Sequence, residues 1–148
     1  MKRLSAKYFT DDELKCKGFG ILKLDPTFDA ELTELRKAFA QPMIVTSCCR
    51  SLEYNKAVGG AKMSFHIADK PAWGRLTGCA AIDIAYRTKE YRDTLARLAW
   101  HKGWRVGYSK TFLHLDIAAI KKIKPKTVFK YANVTDAEFN EFKQIIKG

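Results

Sequence analysis

Polar and apolar positions alternate along two stretches of this chain. In Ala80–Tyr86, Ala81, Asp83 and Ala85 fall on one face of an extended strand, and Ile82, Ile84 and Tyr86 on the other. In Phe112–Ile117, Leu113, Leu115 and Ile117 make an apolar face, while His114 and Asp116 share the opposite one. Each pattern predicts a strand that gives one face to the core and lifts its polar groups onto the other. Met43–Thr46 reads as a further short apolar strand.

Between these stretches the period changes to that of a helix. Thr10-Asp11-Asp12-Glu13 has capping-box spacing and predicts a short first helix. Asp25-Pro26 reads as an N-cap with proline at the first helical position. Phe28, Leu32, Leu35 and Phe39 then form an apolar stripe that Gln41-Pro42 ends. Ser51 to Val58 predicts a helix before Gly59-Gly60. Thr88 opens another that runs to about His101, with Leu95, Leu98 and Ala99 inward and Gly103 beyond its end. Thr135-Asp136-Ala137-Glu138 caps a last helix with Phe139, Phe142 and Ile146 along its buried edge. The expected class is α+β, a small antiparallel sheet flanked by helices.

The polar groups on the two alternating strands change the picture. If the strands are neighbours, with small residues beside Asp83, then Asp83 and His114 come within reach of one ion on the open sheet face. His66, in Ser64-Phe65-His66, supplies a second imidazole. Two imidazoles and one carboxylate are a donor set that a catalytic zinc uses when it keeps a fourth position for water. Asp69 is a competing ligand but lacks the apolar flanks of the Asp83 strand, and His101 reads as a helix-end residue.

The order of these blocks resembles a known family. Ile44-Val45-Thr46-Ser47-Cys48-Cys49-Arg50-Ser51, followed by Asn55, Val58-Gly59-Gly60-Ala61 and Ser64-Phe65-His66, is its densest stretch. The Asp83 strand and Arg105-Val106-Gly107-Tyr108 through His114-Leu115-Asp116 follow. Together, from about Tyr8 to Ala118, they resemble the zinc D-alanyl-D-alanine peptidases of the lysostaphin, D-Ala-D-Ala peptidase and hedgehog superfamily, which includes bacteriophage endolysins and murein endopeptidases. Two departures stand out. Asp83 lies further beyond His66 than is usual in the family, which implies an insert of roughly Ala68 to Thr77, a loop at the lip of the site where selectivity often resides. Thr111 stands where some relatives carry a glutamate.

The resemblance implies a zinc peptidase of one domain, residues 1–148, with His66, Asp83 and His114 as metal ligands. It implies that Arg50 faces substrate, binding a carboxylate or stabilising oxyanion charge, and that Ser64 is a substrate or loop hydrogen-bonding group. Tyr108 is a candidate substrate contact. Asp116 is either the base that manages the proton of the attacking water or a group that orients a neighbouring ligand. The implied substrate is the D-Ala-containing stem peptide or cross-link of peptidoglycan, cut by a D,D-endopeptidase or a carboxypeptidase. An alternative within the fold is a non-catalytic zinc-binding module that uses its surface to bind a partner.

Composition sets the remaining expectations. At 148 residues and 47% hydrophobic content, the chain is long enough to bury one substantial core, and no linker or repeat divides it. The net charge of +11, with clusters such as Lys121-Lys122-Ile123-Lys124-Pro125-Lys126, suits anionic polymers. On charge alone these could be nucleic acid, acidic lipids or cell-wall polymers. No recognised nucleic-acid motif accompanies the charge, and the resemblance to wall hydrolases implies anionic envelope material as the partner. Cys16, Cys48, Cys49 and Cys79 include no Cys-x-x-Cys spacing and are expected to be reduced thiols. Cys49, beside Arg50, is placed to tune the site or sense oxidation. No segment reads as a membrane span or signal peptide. The expectation is a phage product held in the host cytoplasm until a holin-type partner opens the way to the wall.

Overall fold

The computed structural model describes residues 2–148. Five strands form its sheet: β1 (Ile44–Ser47), β2 (Ala81–Ala85), β3 (Arg105–Tyr108), β4 (Phe112–Asp116) and β5 (Val128–Lys130), in the spatial order β1-β2-β4-β3-β5. The pairs β1–β2, β2–β4 and β4–β3 are antiparallel. β5 departs from the expected pattern, adding to β3 in parallel. With helices packed on the sheet, the class is α+β.

The helices begin where their caps stand. Thr10 makes a full capping box with Glu13 at the start of α1 (Asp11–Leu14). Asp25 caps α2 (Pro26–Phe39), its Oδ1 accepting from the amides of Thr27 and Phe28. Its Oδ2 accepts from Thr77 N at 3.1 Å, so this buried carboxylate also ties down the end of the 68–77 loop. Ser51 caps α3 (Leu52–Ala57), Thr88 caps α4 (Lys89–His101), and Thr135 closes a second capping box at α5 (Asp136–Lys147). A cap of this kind contributes about 1 kcal/mol.

The core lies on one side of the sheet. Ile82, Ile84, Val106, Leu113 and Leu115 are fully buried there with Phe28, Leu32 and Leu35 of α2, Leu95 and Ala99 of α4, and Phe142 and Ile146 of α5. Phe28 meets Trp104 edge-on at 5.9 Å, and Tyr108 stacks on Phe142 at 4.4 Å. Each such aliphatic or aromatic side chain gains about 1.5–3 kcal/mol on full burial. That pins the alternation, because a slip of one residue would turn every core side chain of a strand outward. The opposite face of β2, β4 and β3 is left to Asp83, His114, Asp116, Arg105 and Gly107.

Candidate active site

Register brings two of the polar groups together. Asp83 pairs directly with His114 across β2 and β4, and Gly107 pairs with His114 across β3 and β4. His66 arrives from a loop, held to the end of β1 by backbone bonds from Arg50 N to the His66 carbonyl (2.9 Å) and from Ala68 N to the Arg50 carbonyl (2.8 Å). The Ser64 hydroxyl accepts from the amide of His66 at 3.1 Å and fixes the turn that delivers the ring.

The ligating atoms of His66, Asp83 and His114 all lie within 4.8 Å of one another. His66 Nε2 is 3.2 Å and His114 Nδ1 is 3.0 Å from the same oxygen, Asp83 Oδ1. The other nitrogen of each ring also has an acceptor. His66 Nδ1–H donates to the Cys48 carbonyl at 2.7 Å, and a carbonyl only accepts. His114 Nε2–H donates to Asp116 Oδ2 at 2.7 Å. With hydrogen on His66 Nδ1 and His114 Nε2, the remaining lone pair of each ring faces Asp83 Oδ1, an arrangement that repels unless a cation or a proton lies between. Ligands about 2.0–2.1 Å from a tetrahedral ion stand roughly 3.3–3.4 Å apart. The two separations to Asp83 Oδ1 come within a few tenths of an ångström of this, and the donor set fits zinc.

The electrostatics agree. Burial alone would raise the pKa of Asp83, yet the two imidazoles beside it, when they carry protons toward it, hold its carboxyl well below the usual carboxylate range. Arg50 Nη2 lies 3.8 Å from Asp83 Oδ2. The rest of the Arg50 guanidinium is fixed by Ser47 Oγ and Asn55 Oδ1, each 3.1 Å away. Gly60 makes room for this, since a Cβ there would strike both Asn55 and Arg50.

Around these groups runs a cleft of about 550 Å³, lined by Arg50, Ser64, His66, Asp83, His114 and Asp116, and by residues that the sequence did not single out. Arg105 lies between the rings of Phe65 and Phe129, 5.6 and 5.2 Å from their centroids, and reaches Asp116 Oδ2 at 3.3 Å. Phe129 and Tyr131 close the far wall beside Phe112. Burial, reinforced by the nearby Asp83 charge, pushes the Tyr131 phenol above its ordinary pKa, so it keeps its proton. Alternation within Arg105–Tyr108 was the signal for Arg105. For Phe129 and Tyr131 there was none, since their place depends on β5 joining β3.

Several expected residues lie elsewhere or turn to other work. Tyr108 is not brought into the cleft: on β3 it shares the core face with Val106, stacks on Phe142 and accepts from Arg92 Nη1 at 2.8 Å. Asp69 Oδ1 accepts from the amide of Leu52 at 2.9 Å, at the start of α3. His101 ends α4, exposed. Asp116 reaches the cleft but is fully buried, with Oδ2 taken by His114 and Arg105 and Oδ1 accepting from Ala118 N at 3.0 Å. The loop at 68–77 has no helix or strand. Trp73 stacks on Phe65 at 5.7 Å and donates to the Met63 carbonyl, while Arg75 donates to the carbonyls of Lys121 and Lys122. It braces the cleft wall at Phe65 from outside.

All four cysteines are free, and Cys48, Cys49 and Cys79 converge behind His66. Burial pushes the Cys48 and Cys79 thiols up. Their convergence was missed because the spacing rules look along the chain, whereas these residues meet where the end of β1 lies beside the start of β2.

Residues 7–116 match the family model described as Peptidase M15. The chain belongs to the peptidase M15 family. A search of curated proteins finds no match. As an M15 member the protein is a zinc metallopeptidase, and the match spans all three candidate ligands. It ends before Phe129 and Tyr131, so one wall of the cleft is built by chain outside the matched region.

Proposed function

We propose that this M15 peptidase hydrolyses D-Ala-containing peptide bonds of peptidoglycan stem peptides or cross-links, as an endolysin-like D,D-peptidase. The observation that carries the reading is the convergence of His66, Asp83 and His114 in the floor of a cleft flanked by two guanidinium groups, Arg50 and Arg105. Zinc on the three ligands supplies Lewis acidity to water and to the scissile carbonyl. Arg50, anchored by Ser47 and Asn55, donates to the oxyanion as the carbonyl carbon becomes tetrahedral. Arg105 offers its charge to the carboxylates of the stem peptide. Fixed donors of this kind cost little reorganisation at the moment of reaction.

In this reading Asp116 orients His114 and does not act as the base. Both its oxygens are engaged and it has no exposure, so it is poorly placed to exchange a proton with water. The carboxylate holds hydrogen on Nε2, which leaves Nδ1 to face the metal. Ser64 acts through the turn before His66. Phe112, Phe129 and Tyr131 cover the peptide, with Tyr131 as a hydrogen-bond donor.

The basic surface, at net charge +11, retains the enzyme on anionic wall material. On the same reading it accumulates in a phage-infected host's cytoplasm and reaches the wall after a holin-type protein opens the membrane. No helix among the described residues is long and apolar enough to cross a bilayer.

The test is digestion of purified peptidoglycan and muropeptides by zinc-loaded protein, with products read by mass spectrometry. Dimers converted to monomers identify an endopeptidase, and loss of a terminal D-Ala identifies a carboxypeptidase. His114→Ala should bind no zinc and cut nothing. Full zinc occupancy with every muropeptide left intact would replace the enzyme reading by that of a binding module.

A further inference from the structure

Behind the His66–Asp83–His114 cluster lies a second set of metal-binding atoms. Cys48 and Cys49 follow β1 and Cys79 precedes β2, and their three sulfurs lie within 4.8 Å of one another. Cys48 Sγ and Cys79 Sγ are 3.8 Å apart. None of the three residues is more than 2% exposed. Three sulfurs sharing an ion at about 2.3 Å stand roughly 3.8–4.0 Å apart, from tetrahedral to planar. The Cys48–Cys79 separation is that of two thiols sharing an ion, and Cys49 Sγ lies within reach of the same point. A disulfide would require the Cys48 and Cys79 sulfurs to close to about 2.05 Å.

The surroundings select the kind of ion. Beyond the three thiols the polar neighbours are backbone carbonyls: the single Cys79 S–H is shared between those of Cys48 (3.3 Å) and Ala81 (3.2 Å), and Cys49 donates to that of Lys23 (3.8 Å). No fourth His, Cys, Asp or Glu joins the cluster among the described residues. A structural zinc takes four protein ligands. Three sulfurs in a dry pocket suit a soft ion of lower coordination number, and thiolates favour monovalent copper.

We propose that Cys48, Cys49 and Cys79 form a second metal site, specific for a thiophilic cation of the copper(I) class and separate from the His66–Asp83–His114 zinc site. Ligation releases thiol protons to solvent and leaves the sulfur oxidation state unchanged. The site adjoins the zinc centre through one atom, since the Cys48 carbonyl that accepts from Cys79 also accepts from His66 Nδ1. It does not depend on the peptidase reading.

The test uses the zinc-loaded full chain, kept reduced without oxygen and titrated with copper(I) against the chelator bicinchoninate. Native mass spectrometry should find one copper per chain with zinc retained, accompanied by ultraviolet thiolate-to-copper charge-transfer absorption. Cys49→Ala and Cys79→Ala should each lose the copper and keep the zinc, Cys16→Ala should keep both, and His114→Ala should lose zinc alone. The proposal is overturned if wild-type protein yields all its copper to the chelator, or if copper binds only by displacing zinc. It is equally overturned if Cys79→Ala holds copper as wild type does. The wild-type measurement decides the matter even where a variant fails to fold.

Discussion

Asp116 Oδ2 lies 2.7 Å from His114 Nε2, and this contact sets which nitrogen of His114 faces Asp83. Asp116→Asn keeps the size of the side chain but removes its charge. The variant should lose roughly 10–100-fold in zinc affinity or in activity, as is usual when a partner of a metal ligand is changed. Chelator competition and a pH–rate profile check this together: weaker zinc binding with an unchanged profile is expected. Unchanged zinc affinity with the acidic limb of the profile gone would instead make Asp116 the base.

Removing zinc should expose a pH dependence carried by His114. Burial opposes its protonation, but the bonds to Asp116 and Asp83 outweigh burial and raise its pKa to about 9. A histidine pKa lifted above its unfolded value of about 6.5 stabilises the fold fully below that pH, and the contribution disappears as pH rises through about 9. Zinc must displace the same proton, so its affinity should climb over this window. Melting curves of the metal-free protein from acidic to alkaline buffer should show Tm falling across it, with the zinc-loaded protein much flatter.

Gly107 is a space requirement. A Cβ there would sit 2.6 Å from the Phe129 ring and 3.1 Å from His114 Cβ. Gly107→Ala should cost about 1–3 kcal/mol, the usual penalty for overpacking, and push Phe129 off the cleft wall. Denaturant melts measure the cost. Adding Phe129→Ala should recover part of it, and strictly additive losses in that double-mutant cycle would mean that the ring is not the obstacle.

How much of this was legible in the chain differs by element. The faces of β2 and β4 followed from alternation alone, but the direct pairing of Asp83 with His114 did not, because a slip of two residues would keep Ile82, Ile84, Leu113 and Leu115 on the same face. The caps at Thr10, Asp25, Ser51, Thr88 and Thr135 are local chemistry and were equally readable. β5 was not readable: three residues carry too little pattern, and its parallel pairing with β3 is decided by tertiary packing. Tyr108 was named through a sequence block, whereas its place follows from counting faces along β3. Arg105 and Gly107 turn to the cleft, and Val106 and Tyr108 turn away.

The loop at 68–77 should act on substrate more than on metal. Trp73→Ala removes the stacking on Phe65, worth about 0.5–1.5 kcal/mol beyond the buried area. If that energy holds the cleft wall in place, KM should rise by up to about tenfold, with zinc content and kcat nearly unchanged. Steady-state kinetics on a defined muropeptide, with metal analysis of the same sample, separates these effects. A fall in zinc content would place the role of the loop at the ligands instead.

The margin of the sheet at β1 is guarded in a way that matters when many copies are crowded together. Register shifts between Val45 and Ser47, Lys17 Nζ donates to the Thr46 carbonyl at 2.6 Å, and Cys49 N donates to the Leu14 carbonyl at 3.0 Å. A strand from another molecule would meet a kinked, lysine-blocked rim where a flat edge invites fibril-like addition. Raising the concentration of the protein is therefore expected to add no intermolecular strand at this edge.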